Sequence, residues 1–324
     1  MPYFPMITAS AMGQQANQPL PDGFQLEEYR IERQLSLGGF SIVYLATDAE
    51  GREVAIKEYL PNSLALRAPG ETRPVISEEH LGAFRYGMKC FFEEGRSLAR
   101  LSHPNVIRVL NFFRANDTVY MVMQYEHGRT LQQFIQKHQG HITERFIRGV
   151  FTRMLNGLRE VHAHKLLHLD LKPSNIYLRS NNVPVLIDFG AARVTLATDE
   201  PVLKPMYTPG FASPEHYGSR KDIGPWSDIY SVGASMYACL AGVPPPPADE
   251  RLKRDTLTPA MLRWEGLYSD RLLEIIDWSL NLNHLYRPQS VFALQKALTE
   301  EVKPLAHSKN WFGRFVDRIR KSKP

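Results

Sequence analysis

Cysteine is almost missing: the 324-residue chain has two, Cys90 and Cys239, far apart and neither in a CxxC pair. They build no disulfide framework and no cysteine-based zinc site, and a reducing cytoplasm is the expected setting. Long hydrophobic runs are missing too. The longest weakly polar stretch, residues 229–243, contains Ser231, Gly233 and Ser235 and is shorter than the roughly 20 residues a membrane span needs. It reads as a buried helix. The N-terminus shows no basic region and no apolar stretch long enough for a secretory signal. No internal repeat is present. A basic body is also lacking. The formal charge is +5, but residues 302–324 hold seven Lys/Arg against the single Asp317, a local net of +6, which leaves about −1 for the rest. The body is therefore no nucleic-acid surface.

What remains is ordinary globular material. Apolar residues at 43% and charged residues at 23% exclude a wholly disordered or fibrous chain, and the length suits one large two-lobed domain or two domains. Residues 1–25, rich in Pro, Gln, Asn and Gly, read as a disordered leader. Three short runs with β-branched or aromatic residues follow, 29–37, 42–48 and 54–59, separated by Gly38-Gly39 and Glu50-Gly51 as in antiparallel strands. Ser77 with Glu78 and Glu79 opens a long helix carrying Leu81, Phe84, Met88, Phe91, Leu98 and Leu101 at helical spacing, ended by His103-Pro104. Gly82, Gly87 and Gly95 each cost that helix about 1 kcal/mol relative to Ala, so it relies on packing. Two further strands, 106–113 and 118–125, precede a helical remainder beginning near residue 128. The expected class is α+β with two lobes, strand-rich then helical.

One constellation carries chemistry. In HLDLKPSN, residues 168–175, Asp170 and Asn175 stand five positions apart with Lys172 and Pro173 between, and Asp188-Phe189-Gly190 follows the apolar run 185–187. Phosphoryl transfer needs such a set: a base at the acceptor hydroxyl, oxygen ligands for Mg²⁺ and a cation on the transferred phosphate. His162, His164 and His168 invite a metal site, but residues 166–168 read better as the strand-like entry to this loop.

With Val54-Ala55-Ile56-Lys57 upstream and Ser213-Pro214-Glu215, Asp228 and Arg287 downstream in order, residues 29–298 resemble the eukaryotic-type (Hanks-type) serine/threonine protein kinases, in phrasing close to bacterial members. The resemblance implies a bilobal kinase-like fold: N-lobe about 26–125, C-lobe about 128–301, and a basic tail at 302–324. It implies ATP and Mg²⁺, with Mn²⁺ as the alternative metal, and proteins bearing Ser/Thr acceptors as substrates. Lys57 would hold the α- and β-phosphates and pair with Glu94, with Glu93 as the neighbouring alternative. Asp170 would be the base, Lys172 would steady the γ-phosphate, and Asn175 and Asp188 would bind the metal. Leu35, Gly38, Gly39, Val43, Ala55, Met123, Gln124, Tyr125, Glu126 and Tyr177 would surround the nucleotide, Met123 as gatekeeper. Arg287 would pair with Glu215, and Asp228 would hold the catalytic loop from below. His168, Phe189, Leu98 and Val109 would stack as a hydrophobic column.

Several features depart from the family pattern. The glycine-loop template meets Ser36, Gly38 and Ser41, so only its middle glycine survives. Leu169 replaces the usual Arg, which removes one reason for strict gating by phosphorylation at Thr195 or Thr198. Thr208 is expected as a structural hydroxyl near Asp170 and Lys172. Residues 58–77 form an insertion between Lys57 and the long helix, read as a solvent loop or, more sharply, as an element acting on that helix. In the tail, Trp311, Phe312, Phe315, Val316 and Ile319 form one apolar helical face, with Arg314, Arg318 and Lys321 elsewhere. It packs back on the body or contacts a partner or the inner face of the membrane. The alternatives to a protein kinase are a pseudokinase scaffold and a small-molecule kinase.

Overall fold

The structure, a computed structural model, describes residues 17–189, 207–218 and 220–300. The tail, Thr195, Thr198 and Gly190 lie outside them. Strands β1 (Gln25–Leu26), β2 (Tyr29–Leu37), β3 (Ser41–Thr47), β4 (Glu53–Tyr59), β5 (Val109–Ala115) and β6 (Thr118–Gln124) form one sheet in the order β1-β2-β3-β4-β6-β5. All neighbours are antiparallel. The strand period of two divides β4 cleanly. Ala55, Lys57 and Tyr59 face one side with their partners Met123 and Met121, whereas Ile56 and Glu58 face the other with Tyr44, Ile42, Val122 and Tyr120.

Helix α1 (Glu78–Leu98) covers the Lys57 face of the sheet: Tyr59 packs against Phe84 and Phe91 of α1, with ring centroids 5.2 and 5.9 Å apart. Ser77 stands at its N-cap without a side-chain capping bond, and Glu78 and Glu79 complement the helix dipole. Gly95 is required by proximity, since a Cβ there would lie 3.1 Å from Met121 Cε. This explains why the helix keeps a residue of poor intrinsic propensity.

The opposite face of the sheet is closed as well, and here two expectations are corrected. Residues 17–25, read from composition as unstructured leader, are folded: Asn17 and Leu20 are buried and β1 pairs with β2. The 58–77 insertion is not a solvent loop, because Leu60, Ala65 and Arg67 are buried and Leu66 bridges Val75. Together these segments cover Ile42, Tyr44, Ile56, Glu58, Tyr120 and Val122, all of them inaccessible to solvent. Composition could not reveal this, because the buried residues of each segment are scattered among exposed ones and their partner surface is distant in sequence.

Past the switch at residues 126–130 come β7 (Gly128–Thr130), α2 (Leu131–Lys137) and α3 (Glu144–Ala163). The small antiparallel sheet β7-β8-β9 is completed by β8 (Ile176–Arg179) and β9 (Pro184–Leu186). Helix α4 (Pro225–Ala241) is buried from Ser227 through Leu240, as expected of a helix apolar all round. Around it lie α5 (Ala248–Lys253), which sequence patterning missed, α6 (Ala260–Arg263), α7 (Asp270–Ser279) and α8 (Val291–Thr299). The two-lobed α+β class is therefore observed. Cys90 and Cys239 are free thiols.

Helices α4 and α7 touch at Gly233, where an added Cβ would lie 2.5 Å from Ser279 Cβ. Overpacking of this kind costs about 1–3 kcal/mol. Gly233→Ala should lower the urea midpoint accordingly, and an unchanged midpoint would mean that the two helices separate freely.

Candidate active site

The loop between α3 and β8 carries most of the candidate groups, and a buried carboxylate shapes it. Asp228, on the first turn of α4 and 0% exposed, accepts hydrogen bonds from the backbone N–H of His168 (2.9 Å) and of Leu169 (2.8 Å), while His162 Nε2 lies 2.7 Å away. Burial alone would raise the Asp228 pKa, but His162 and the backbone donor bring it below the ordinary carboxylate value. Leu169 needs this support: its φ is +60°, a left-handed conformation that costs a non-glycine residue about 1–3 kcal/mol. The Leu169 side chain is itself buried, so the position that is Arg in many kinases here contributes packing.

The loop then presents its polar groups as a closed set. Lys172 Nζ donates to Asp170 Oδ2 and to Thr208 Oγ1, both at 2.7 Å, and Thr208 Oγ1 donates to Asp170 Oδ1 at 2.9 Å. Thr208 thus occupies the structural position expected for it. Asn175 Nδ2 donates to Asp170 O (2.9 Å) and Asp170 Oδ2 (3.1 Å), which fixes the amide orientation. Its Oδ1 receives only a 3.4 Å bond from Ser174 among the described residues.

Across the cleft, Lys57 Nζ lies 2.6 Å from Asp188 Oδ1 and 5.7 Å from the Phe91 ring centroid. The Lys57 side chain is 6% exposed and that of Asp188 45%, so the ammonium is sheltered while the carboxylate opens to the cleft. Burial opposes ionisation of Asp188, yet the Lys57 ammonium holds its carboxyl well below the usual range. Asp188, like Leu169, has a positive φ, +59°. Glu94 is buried on α1, three residues beyond Phe91 and hence on the helix face turned toward Lys57. Phe189, Leu98, Val109 and His168 are all buried, with the His168 and Phe189 rings 4.4 Å apart.

Register places Val43, Ala55 and Met123 on the Lys57 face of the sheet, and the other nucleotide candidates are located by their elements. Val43 and Met121 flank Lys57, and Ala55 faces Met123. Leu35 belongs to β2, and Gly38 and Gly39 lie in the turn to β3, closed by Gly38 N–H donating to Ser41 O at 2.9 Å. Gln124 ends β6, with Tyr125 and Glu126 following, and Tyr177 sits half-buried on β8. One partner escaped sequence reasoning: Arg179 clamps Glu126 through two bonds of 2.7 and 2.6 Å. Both residues look like surface charges in the sequence, and only the β7–β8 pairing brings them together.

Beyond the cleft, Arg287 and Glu215 form the expected buried pair, with bonds of 2.7 and 3.0 Å, and Ser227 Oγ adds a third at 2.8 Å. Although burial would raise the Glu215 pKa, these donors lower it below the ordinary value. A depressed folded-state pKa supplies stability that is complete above the unfolded value of about 4.3 and is lost as pH falls through the folded one. Wild-type stability should therefore drop below about pH 4. Glu215→Gln should flatten that acid limb and cost about 3–5 kcal/mol at neutral pH, because Arg287 keeps a buried charge. Urea melts across pH 3–7 check both, and parallel acid limbs in the two proteins would refute the assignment.

A family model described as the protein kinase domain matches residues 29–299. The serine/threonine-protein kinase PLK4 of Nematostella vectensis is 29% identical over 242 residues, 74% of this chain and 22% of its own length. PLK4 of Danio rerio is 29% identical over 224 residues, 69% of this chain and likewise 22% of its own length. The chain thus spans under a third of the curated relatives it matches. Among solved structures, the apo form of PpkA-294 superimposes with a TM-score of 0.76 at 35% identity, covering 86% of this chain and 99% of that one. A mutant PknI kinase domain of Mycobacterium tuberculosis gives 0.63 at 21% identity, covering 87% and 98%, a likeness of fold alone.

Proposed function

This chain belongs to the protein kinase family, and from that premise we propose that it transfers the γ-phosphoryl group of ATP to Ser or Thr hydroxyls of proteins, itself included. The observation that carries the reading is the joint hold of Lys172 and Thr208 on Asp170. It aims one carboxylate at the space where an acceptor hydroxyl would enter, with a cation beside it for the transferred phosphate. The hydroxyl proton passes toward Asp170 as the oxygen attacks the γ-phosphorus and the bond from that phosphorus to the β,γ-bridging oxygen breaks, releasing ADP. Lys57 meets the α- and β-phosphates, and buried Glu94 stands on the helix facing it. The backbone of residues 124–126, braced by Arg179 on Glu126, offers the adenine its edge contacts.

The donor set suits Mg²⁺. Asn175 Oδ1 is oriented by its own amide bonds, and Asp188 supplies a carboxylate open to the cleft. Both are hard oxygen donors, and this metal takes one or two protein carboxylates with the remainder from phosphate and water. When bound, it neutralises charge between the β- and γ-phosphates. Retention of Lys57, Asp170, Asn175 and Asp188 in one cleft disfavours a scaffold without chemistry. A protein acceptor is favoured over a small molecule by the segment at residues 208–215, which joins the catalytic carboxylate through Thr208 to the buried Glu215 anchor.

Phosphatase-treated protein incubated with Mg²⁺-ATP and myelin basic protein should gain phosphate on self or acceptor, read by intact mass. Asp170→Ala should slow transfer about 10²- to 10⁴-fold, and Asp188→Asn should abolish it. Nucleotide binding without any transfer by the wild type would leave the scaffold reading.

The segment 302–324 lies outside the described residues, and its charge and apolar spacing support contact with an anionic membrane surface. Co-sedimentation with phosphatidylserine vesicles should fall on truncation after Pro304, and equal sedimentation of both chains would reject the contact.

A further inference from the structure

The outer face of the sheet holds a charge pair that the chemistry above does not use. Glu58 and Arg67 are each 0% exposed, and the guanidinium meets the carboxylate through two bonds of 2.6 and 2.7 Å. Tyr44 and Tyr120 each donate to Glu58 at 2.7 Å, and Arg67 Nη2 reaches Tyr44 OH at 2.9 Å. Burial and the Glu58 charge push both phenols up, so they remain neutral donors. An ion pair so enclosed brings little net stability over apolar residues of the same volume, but it fixes geometry, since each charge is tied to one place.

That geometry is shared with the catalytic face. Glu58 is the strand neighbour of Lys57, and the next residue, Tyr59, packs on α1 beside the ring that Lys57 overlies. The chain then turns outward, and its backbone holds the glycine turn: Leu60 N–H donates to Phe40 O and Asn62 N–H to Gly39 O, both at 2.9 Å. Asn17 locks this strap from outside. Its Nδ2 lies 2.8 Å from Asn62 Oδ1, 3.1 Å from Ala65 O and 3.3 Å from Leu60 O, and its Oδ1 accepts from Arg67 N–H at 2.6 Å. Gln18 pairs with Arg67 in both directions, N–H to O at 3.2 Å and Nε to O at 2.8 Å, and Leu20 N–H donates to Tyr44 OH.

We infer that residues 17–20 form a clasp that positions the phosphate end of the nucleotide site, with Asn17 and Asn62 as positioning residues acting through the glycine turn and the Lys57 strand. The inference rests on the kinase reading above. It assigns to a segment ahead of the matched family region a share in phosphate binding, and it accounts for a glycine turn that keeps one template glycine: the turn is held by strap N–H groups from behind.

The test compares two ligands on the full chain. The Mg²⁺ complex of AMP-PNP carries the phosphates, and adenosine carries none. Asn17→Ala and Asn62→Ala should each weaken AMP-PNP binding about three- to tenfold, the range a lost hydrogen bond gives, and leave the adenosine Kd unchanged. The double variant should be no weaker than Asn17→Ala alone, since the Asn62 side chain acts through its bond to Asn17. Asn62 is exposed, so its variant keeps the test open should Asn17→Ala fail to fold. Unchanged AMP-PNP affinity, or equal weakening of both ligands, overturns the clasp, because a merely structural role moves the melting midpoint and not the ratio. Wild-type protein that binds neither ligand overturns instead the kinase reading beneath it.

Discussion

The loop at residues 168–175 depends on one buried negative charge. Asp228 sits in α4, buried from Ser227 through Leu240, where an uncompensated carboxylate would be costly, and it is satisfied by the backbone of the strained turn at His168 and Leu169. Each side of the bargain requires the other. The left-handed Leu169 turns the chain so that Asp170 and Lys172 emerge toward the cleft, and Asn175 folds back on Asp170 from the following turn. A rigid helix inside the larger lobe thereby sets the position of groups that belong to a loop, which is the requirement for a site that must not reorganise during reaction.

The smaller lobe solves a related problem differently. A strand presenting Lys57 on one face must present Glu58 on the other, and a carboxylate under a covered sheet demands partners. Arg67, Tyr44 and Tyr120 supply them, and the price is a strap and an N-terminal segment wrapped over a face that would otherwise meet water. Strap, glycine turn, Lys57 strand and α1 are joined to one another by hydrogen bonds and by the Tyr59, Phe84 and Phe91 rings. The Lys57–Asp188 contact joins this body to the other lobe.

Much of the site was legible in the amino-acid order. Lys57, Asp170, Lys172, Asn175 and Asp188 stand in spacings with a chemical meaning, and the structure brings them into one cleft. The strands 29–37 and 118–124 and the helix from Glu78 announced themselves by period and by breakers. Short elements did not: β1, α5 and the strands β7 and β8 carry too few residues for periodicity to register, whereas β9 showed as the apolar run 185–187. Glu58, Arg67 and Arg179 were equally hidden, because a charged residue in a sequence reads as surface until a distant partner removes it from water.

What the sequence determined by itself is the inventory of side chains and its order along the chain: two aspartates, an asparagine and two lysines, set by local spacings and turn-forming residues that act over a few positions. Only the tertiary structure decided that residues 17–20 belong to the folded body, that the insertion is a strap, and that Glu126 is braced by Arg179. These depend on contacts between segments tens of residues apart, whose energies come from desolvation and pairing, and neither quantity exists until the chain has closed on itself.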